Sequence, residues 1–158
     1  MDDADLILRC IDLARSAAKR GNHPFGTIIT RGDEIVAQSE NRVVTDLDPT
    51  GHAEIAAIRA ACTSLASLNL SGCTLYTSCE PCWICSATIR VTGISRVVFA
   101  AGSTSIAGGF QQPYPILTSD LVATWPPPPE VVPYFLRDQS ESLWREIGWP
   151  PPRSIRKL

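Results

Sequence analysis

The chain has 158 residues, 44% of them hydrophobic and 19% charged, which fits one globular domain able to bury a core. Its formal net charge of −2 and pI of about 5.6 offer no basic surface for a phosphate backbone, which speaks against an RNA or DNA substrate. Met1-Asp2-Asp3-Ala4-Asp5 is not a charged-then-apolar leader, and no apolar run approaches the ~20 residues that span a bilayer. The expectation is therefore a soluble cytoplasmic chain with reduced thiols and no membrane partner.

Leu6, Cys10, Leu13, Ala14, Ala17 and Ala18 recur at helical spacing over residues 3–20, and Gly21-Asn22 ends that helix. His23-Pro24-Phe25-Gly26 turns into a buried strand, Thr27-Ile28-Ile29-Thr30. Arg31-Gly32-Asp33 makes a tight turn, and 34–38 pairs back as a second strand. A loop over 39–51 carries Asn41 and Asp48-Pro49-Thr50. His52 opens an alanine-rich helix that runs to Cys62. After a turn at 69–72, Thr74-Leu75-Tyr76-Thr77 reads as a third strand. Cys79-Glu80-Pro81 breaks it and starts a helix near Cys82, which Gly93 ends. Residues 96–100 form the fourth strand.

This alternation predicts a sheet covered by helices on both faces. The last third differs. Gly108-Gly109, Pro113, Pro115 and Pro126-Pro127-Pro128-Pro129 mark loops and a stiff linker. A final helix is predicted over 131–148, with Phe135, Leu136, Leu143, Trp144 and Ile147 apolar. Pro150-Pro151-Pro152, Arg153, Arg156 and Lys157 form a tail. The organisation expected is a single domain over 1–158, in which 102–158 is a proline-rich extension ending in a capping helix.

The chemistry concentrates at His52-Ala53-Glu54 and Pro81-Cys82-Trp83-Ile84-Cys85. Zinc prefers imidazole and thiolate ligands, and a catalytic zinc keeps three protein ligands and one open position. His52, Cys82 and Cys85 supply three. Cys82 and Cys85 are three residues apart, so a helix puts both sulfurs on one face, and a helix N-terminus favours their thiolate forms. Glu54 stands beside such a site as general acid–base, able to move protons between water, a ring nitrogen and a departing amine. Each piece has a plainer reading: a redox Cys pair, a first-turn acid, or a structural zinc with Cys79 as its fourth ligand. Cys10, Cys62 and Cys73 read as packed thiols, and His23 as a loop residue near the site.

The order H-x-E followed by P-C-x-x-C resembles the signature of zinc deaminases that act on nucleobases. From Pro24-Phe25-Gly26, through Asn41 and residues 48–54, to residues 75–85, the sequence is similar to the cytidine deaminase superfamily. It looks most like the branch of guanine, cytosine and tRNA-adenosine deaminases. The resemblance implies a three-layer α/β/α sandwich with a five-stranded mixed sheet. It implies Zn²⁺ on His52, Cys82 and Cys85, and proton shuttling by Glu54. It implies substrate contacts from Phe25, Asn41 and the backbone amide of Ala53. The ending, 141–149, resembles that of fungal-type cytosine deaminases, which makes Trp144 and Glu146 candidates to cap the base. Trp144 and Trp149 as plain core or interface aromatics is the other reading. The function implied is hydrolytic removal of an amine from a small free nucleobase or analogue of guanine, cytosine or triazine type, by a homodimer. A tRNA adenosine deaminase and a non-catalytic zinc module are the competing readings.

Overall fold

The computed structural model describes residues 1–106, 120 and 127–149. Its elements run α1 (Asp3–Lys19), β1 (Gly26–Arg31), β2 (Glu34–Glu40), α2 (Ala53–Ser64), β3 (Cys73–Cys79), α3 (Trp83–Thr92), β4 (Arg96–Ala101), a 3₁₀ turn (Ser103–Ile106), β5 (Glu130–Val132) and α4 (Arg137–Glu146). The five strands form one mixed sheet in the order β2-β1-β3-β4-β5. β1 pairs antiparallel with β2 and β3, while β3–β4 and β4–β5 are parallel.

Strand alternation sorts the core into two layers. Ile28, Tyr76 and Val98 face α1 and α4, where Leu6, Ile7, Cys10, Ile11, Ala14, Leu143 and Trp144 close over them. Ile29, Leu75 and Val97, one residue along each strand, face Ala57, Ile58 and Ala61 of α2 and Ile89 of α3. The result is the expected three-layer α/β/α sandwich. Local chemistry sets the element ends. Asp2 caps α1 by accepting from the Asp5 N–H at 2.9 Å in a capping box. Gly93, at φ 72°, ends α3 in the left-handed conformation that only glycine adopts without strain.

Gly26 matters for a different reason. A Cβ there would lie 2.3 Å from the Cys10 carbonyl oxygen and 2.5 Å from the Leu13 Cβ. The absent side chain lets α1 press onto the start of β1, which fixes where Phe25, the residue before it, emerges. The Gly26 N–H donates to Ser78 Oγ at 3.1 Å, and the Ser140 hydroxyl of α4 donates to the Ser78 carbonyl at 2.7 Å. Phe25, β3 and α4 are thus tied together at one end of the sheet.

The last segment departs from the single helix predicted over 131–148. Residues 130–132 form the edge strand β5, and the helix starts only at Arg137. The cause is tertiary. Glu130, Val131 and Val132 pair in register with Arg96, Val97 and Val98, and Arg96 bridges to Glu130 at 3.3 Å. Pro133 follows, and Tyr134 and Leu136 hold φ of 58° and 54°, which a helix does not permit. α4 is ten residues long and marginal alone. Burial of Leu143 and Trp144, about 1.5–3 kcal/mol each, holds it on the sheet. The glycines and prolines at 108–126 and the tail beyond Trp149 lie outside the described residues. Among those described, no helix is long and apolar enough to cross a membrane.

Candidate metal centre and active site

Two helices begin at the same place. His52 is the N-cap of α2 and Cys82 the N-cap of α3, with no side chain capping either. Cys82 follows the carboxyl end of β3, which runs parallel to β4 with Cys79 paired to Ala101, and His52 follows the loop after the edge strand β2. Ligands in open α/β sheets gather at that end. Cys85, one turn into α3, is fully buried beside them.

The three ligand atoms form a nearly regular triangle. Cys82 Sγ lies 3.4 Å from His52 Nδ1, Cys85 Sγ lies 3.5 Å from the same nitrogen, and the two sulfurs are 3.5 Å apart. A tetrahedral zinc with Zn–S of about 2.3 Å and Zn–N of about 2.0–2.1 Å spaces its ligand atoms by about 3.5–3.8 Å. The donor set and its dimensions therefore fit zinc. Among the described residues the group holds His52, Cys82 and Cys85 and no fourth side chain. Cys79, the fourth ligand that a structural site would need, is a buried core thiol outside it. Three ligands leave a position open, as a catalytic zinc requires.

The electrostatics follow from this crowding. The hydrogen bond with Cys85 draws the Cys82 thiol down to about 4, and His52 assists. The same hydrogen bond, with burial, pushes Cys85 well above the usual thiol range. Contact with Cys82 also raises His52. Glu54, in the first turn of α2, is buried, and that burial pushes its carboxyl up to about 7, with the charge of Cys82 adding to it. A carboxyl titrating near neutrality can both accept and return a proton. Ala53 is the first residue of α2 and fully buried, so its N–H is one of the amides the helix itself leaves without a partner.

The turn carrying Cys82 is pinned by Glu80. Its N–H donates to the Ala101 carbonyl at 2.7 Å, and its buried carboxylate accepts the Ser103 N–H at 2.8 Å. Neither Glu80 nor Ser103 stood out in the sequence. The only hint was a charged residue between two stretches that read as buried.

The remaining candidates divide. Asn41 is 1% exposed, and its Oδ1 accepts the Val43 N–H at 3.1 Å, which orients the amide. Phe25 meets Trp144 and Trp149 edge-on, each at 6.1 Å between ring centroids, and His23 packs against Trp149 at 5.3 Å. Burial lowers the basicity of His23, and the charge of His52 adds to this. The Asn41 N–H donates to the Phe25 carbonyl at 3.0 Å and the Arg42 N–H to the Gly51 carbonyl at 2.9 Å, so Phe25 is tied to the loop that leads into His52. The structure does not bring Trp144 and Glu146 together. Residues two apart on a helix point to different sides. Trp144 turns inward, while the Glu146 carboxylate, 58% exposed, pairs with Arg15 on the surface. The sequence reading missed that His23 and Trp149 would meet, since 126 residues separate them and no spacing rule links them.

Over residues 1–101 the sequence matches the cytidine and deoxycytidylate deaminase zinc-binding region. The chain belongs to that family. It is a zinc-dependent hydrolytic deaminase, with Zn²⁺ as its cofactor. It is 39% identical to the guanine deaminase of Bacillus subtilis over 116 residues, covering 72% of this chain and 74% of that one. It is 32% identical to a probable cytosine deaminase of Schizosaccharomyces pombe over 143 residues, 87% of each chain. It is 41% identical to a tRNA-specific adenosine deaminase of Aquifex aeolicus over 88 residues, covering 56% and 58%. In three dimensions it superposes on a guanine deaminase from Nitrosomonas europaea with a TM-score of 0.81 and 28% identity, covering 93% of this chain and 84% of that one.

Zinc uptake must displace the protons that Cys85 and His52 hold in the metal-free cluster. Their raised affinities mean that more protons are bound as pH falls, so zinc affinity falls with them. Calorimetric zinc titration of the apo-protein in two buffers of different ionisation enthalpy should show at least one proton released per zinc at neutral pH, and weaker binding at pH 6 than at pH 8. Heats that do not depend on the buffer would contradict this.

Proposed function

We propose that the deaminase acts on a small free nucleobase or base analogue of guanine, cytosine or triazine type. The overall change replaces a ring C–NH₂ with C=O, consumes one water and releases ammonia. The observation that carries this reading is the aromatic wall. Trp144 from α4 and Trp149 just after it close on Phe25, whose carbonyl accepts the N–H of Asn41 in the loop that leads to His52, and such a wall suits a planar ring more than a hairpin. The net charge of −2 supports it, since a polyanionic substrate would be repelled. The guanine and cytosine deaminase relatives support it too. The match to the tRNA-specific enzyme covers 56% of the chain, and that kinship keeps a tRNA substrate as the competing reading.

In the proposed chemistry His52 Nδ1 and the sulfurs of Cys82 and Cys85 hold zinc, which supplies Lewis acidity to the attacking water. Glu54 takes the proton that the attacking water gives up and passes it to the ring nitrogen beside the amine. It then takes the remaining hydroxyl proton and gives it to the amine, which leaves as ammonia. The carboxylate ends as it began, so one residue serves both transfers. Phe25 packs on the ring, and Asn41 and the Ala53 N–H hold its polar edge. Glu146 is outside this set because its carboxylate is committed to Arg15.

The same reading takes the whole chain as one catalytic domain. Its six cysteines are unpaired, which suits a reducing compartment such as the cytoplasm. It also takes the enzyme as a homodimer. Ile84 and Val91 expose apolar surface along one side of α3, and a two-fold partner would cover it. Sedimentation equilibrium should read twice the chain's mass, and the mass of a single chain would remove the dimer.

Ammonia release by zinc-loaded protein tests the substrate. The panel is guanine, cytosine, isocytosine, aminated triazines, adenine and the matching nucleosides, with a tRNA anticodon hairpin beside them. Turnover confined to free bases is expected. Glu54→Gln should keep its zinc and lose about 10²–10⁴-fold in kcat. Turnover of the hairpin alone would overturn the free-base reading, and unchanged turnover by Glu54→Gln would overturn its role.

A further inference from the structure

The loop between β2 and α2 begins with three amides that the backbone leaves to side chains. Residues 43–47 form a run of turns, in which the N–H groups of Asp46, Leu47 and Asp48 bond back to the carbonyls of Arg42, Val44 and Val43. The N–H groups ahead of them, on Val43, Val44 and Thr45, have side-chain acceptors instead. Val43 donates to Asn41 Oδ1 at 3.1 Å. Val44 and Thr45 both donate to the Oδ1 of Asn22 at 3.0 Å, from 22 and 23 residues further along the chain.

Asn22 is 5% exposed and sits directly after α1. Its own N–H donates to the Ala17 carbonyl at 3.0 Å, and the Gly21 N–H donates to the Ala18 carbonyl at 3.0 Å. This Schellman pair fixes the Asn22 backbone on the end of α1. Its Nδ2 donates to Thr45 Oγ1 at 3.1 Å, so both ends of the side-chain amide are engaged. A planar amide used at its oxygen by two successive N–H groups, and at its nitrogen by the neighbouring hydroxyl, is held in one orientation. An N–H deprived of its acceptor in such a part-buried place must find another, so loss of this side chain would make the turn rearrange.

The turn matters for what it holds. The Val43 N–H, next in line to the two that Asn22 takes, is the group that occupies Asn41 Oδ1 and leaves the Asn41 NH₂ for another partner. The Arg42 N–H closes the same loop on the Gly51 carbonyl, just before His52, at 2.9 Å. We infer that Asn22 is a positioning residue for the deaminase site. By holding the Val44 and Thr45 amides it keeps the Val43 amide on Asn41, and so sets the orientation in which Asn41 meets the ring. The inference rests on the free-base reading for what Asn41 meets, and on the three hydrogen bonds for how it is held. Asn22 acts through Asn41 and takes no part in the chemistry. Its loss loosens a group that binds the ring in ground state and transition state alike, so it acts on KM and not on kcat.

Amide hydrogen exchange followed by NMR on the zinc-loaded enzyme reads the linkage directly. In the wild type, Val43, Val44 and Thr45 should open as one unit, with protection factors within about threefold of one another. In Asn22→Ala all three should lose about tenfold or more of their protection, while Ile28 and Leu75 in the sheet keep theirs. Asn22→Asp still offers oxygens to both amides and should keep the protection of Val43 within about threefold. KM of Asn22→Ala for the best free base should rise about 5- to 50-fold, with kcat changed less than about threefold, zinc content unchanged, and Asn22→Asp close to wild type. General loss of structure would instead lower zinc content and kcat together. Val43 protection that survives Asn22→Ala, or an unchanged KM, would overturn the proposal. Should Asn22→Ala not fold, exchange in the wild type decides, and Val43 opening independently of Val44 and Thr45 would overturn it. If the wild-type enzyme turns over no free base, the free-base reading falls, and the exchange of Val43 still decides whether Asn22 holds Asn41.

Discussion

The catalytic end of this molecule depends on two helices starting at one point. His52 and Cys82 each occupy an N-cap, where the backbone is still extended and the first helical turn begins with the next residue. Their side chains are thus projected from the same end of the sheet, with Cys85 one turn further on. The positive ends of two helix dipoles converge on the ligands, which favours thiolate. Any shift of α2 against α3 would spoil a triangle of 3.4–3.5 Å edges. The shared core of Ala57, Ile58, Ala61 and Ile89 under those helices therefore serves the metal as well as stability.

The opposite layer positions the aromatic group. α1 presses on Gly26 with no room for a side chain, and this sets Phe25 at the mouth of β1. α4 is anchored through Ser140 to Ser78, the residue that also receives the Gly26 N–H. Phe25 and Trp144 are thereby positioned from the same short length of β3 that leads to the zinc ligands. Metal layer and aromatic layer meet across one strand. Glu80 completes the link by tying the turn before Cys82 to the segment after β4.

The cluster of His52, Cys82 and Cys85 was legible because its geometry is local. A three-residue spacing on one helix and an N-terminal position on another are properties that sequence carries directly, and so is the acid two residues after His52. The first four strands showed as short apolar runs between turn residues. What stayed hidden was set by distant partners. β5 is three residues long and exists because β4 offers a parallel edge, so Val131 and Val132 gave no sign of their fate. The meeting of His23 with Trp149 also needed the closed chain. The sequence did contain the reason that Trp144 and Glu146 lie on different sides of α4, since two residues on a helix separated by one other do not share a face.

The central claim is a zinc held by two sulfurs and one imidazole, with a position left open for chemistry. Zinc K-edge X-ray absorption on the holoenzyme tests it most directly. The account predicts one zinc per chain with two sulfurs at about 2.3 Å and two nitrogen or oxygen neighbours at about 2.0–2.1 Å. A third sulfur in that shell would bring Cys79 into the site, close it, and contradict the catalytic reading.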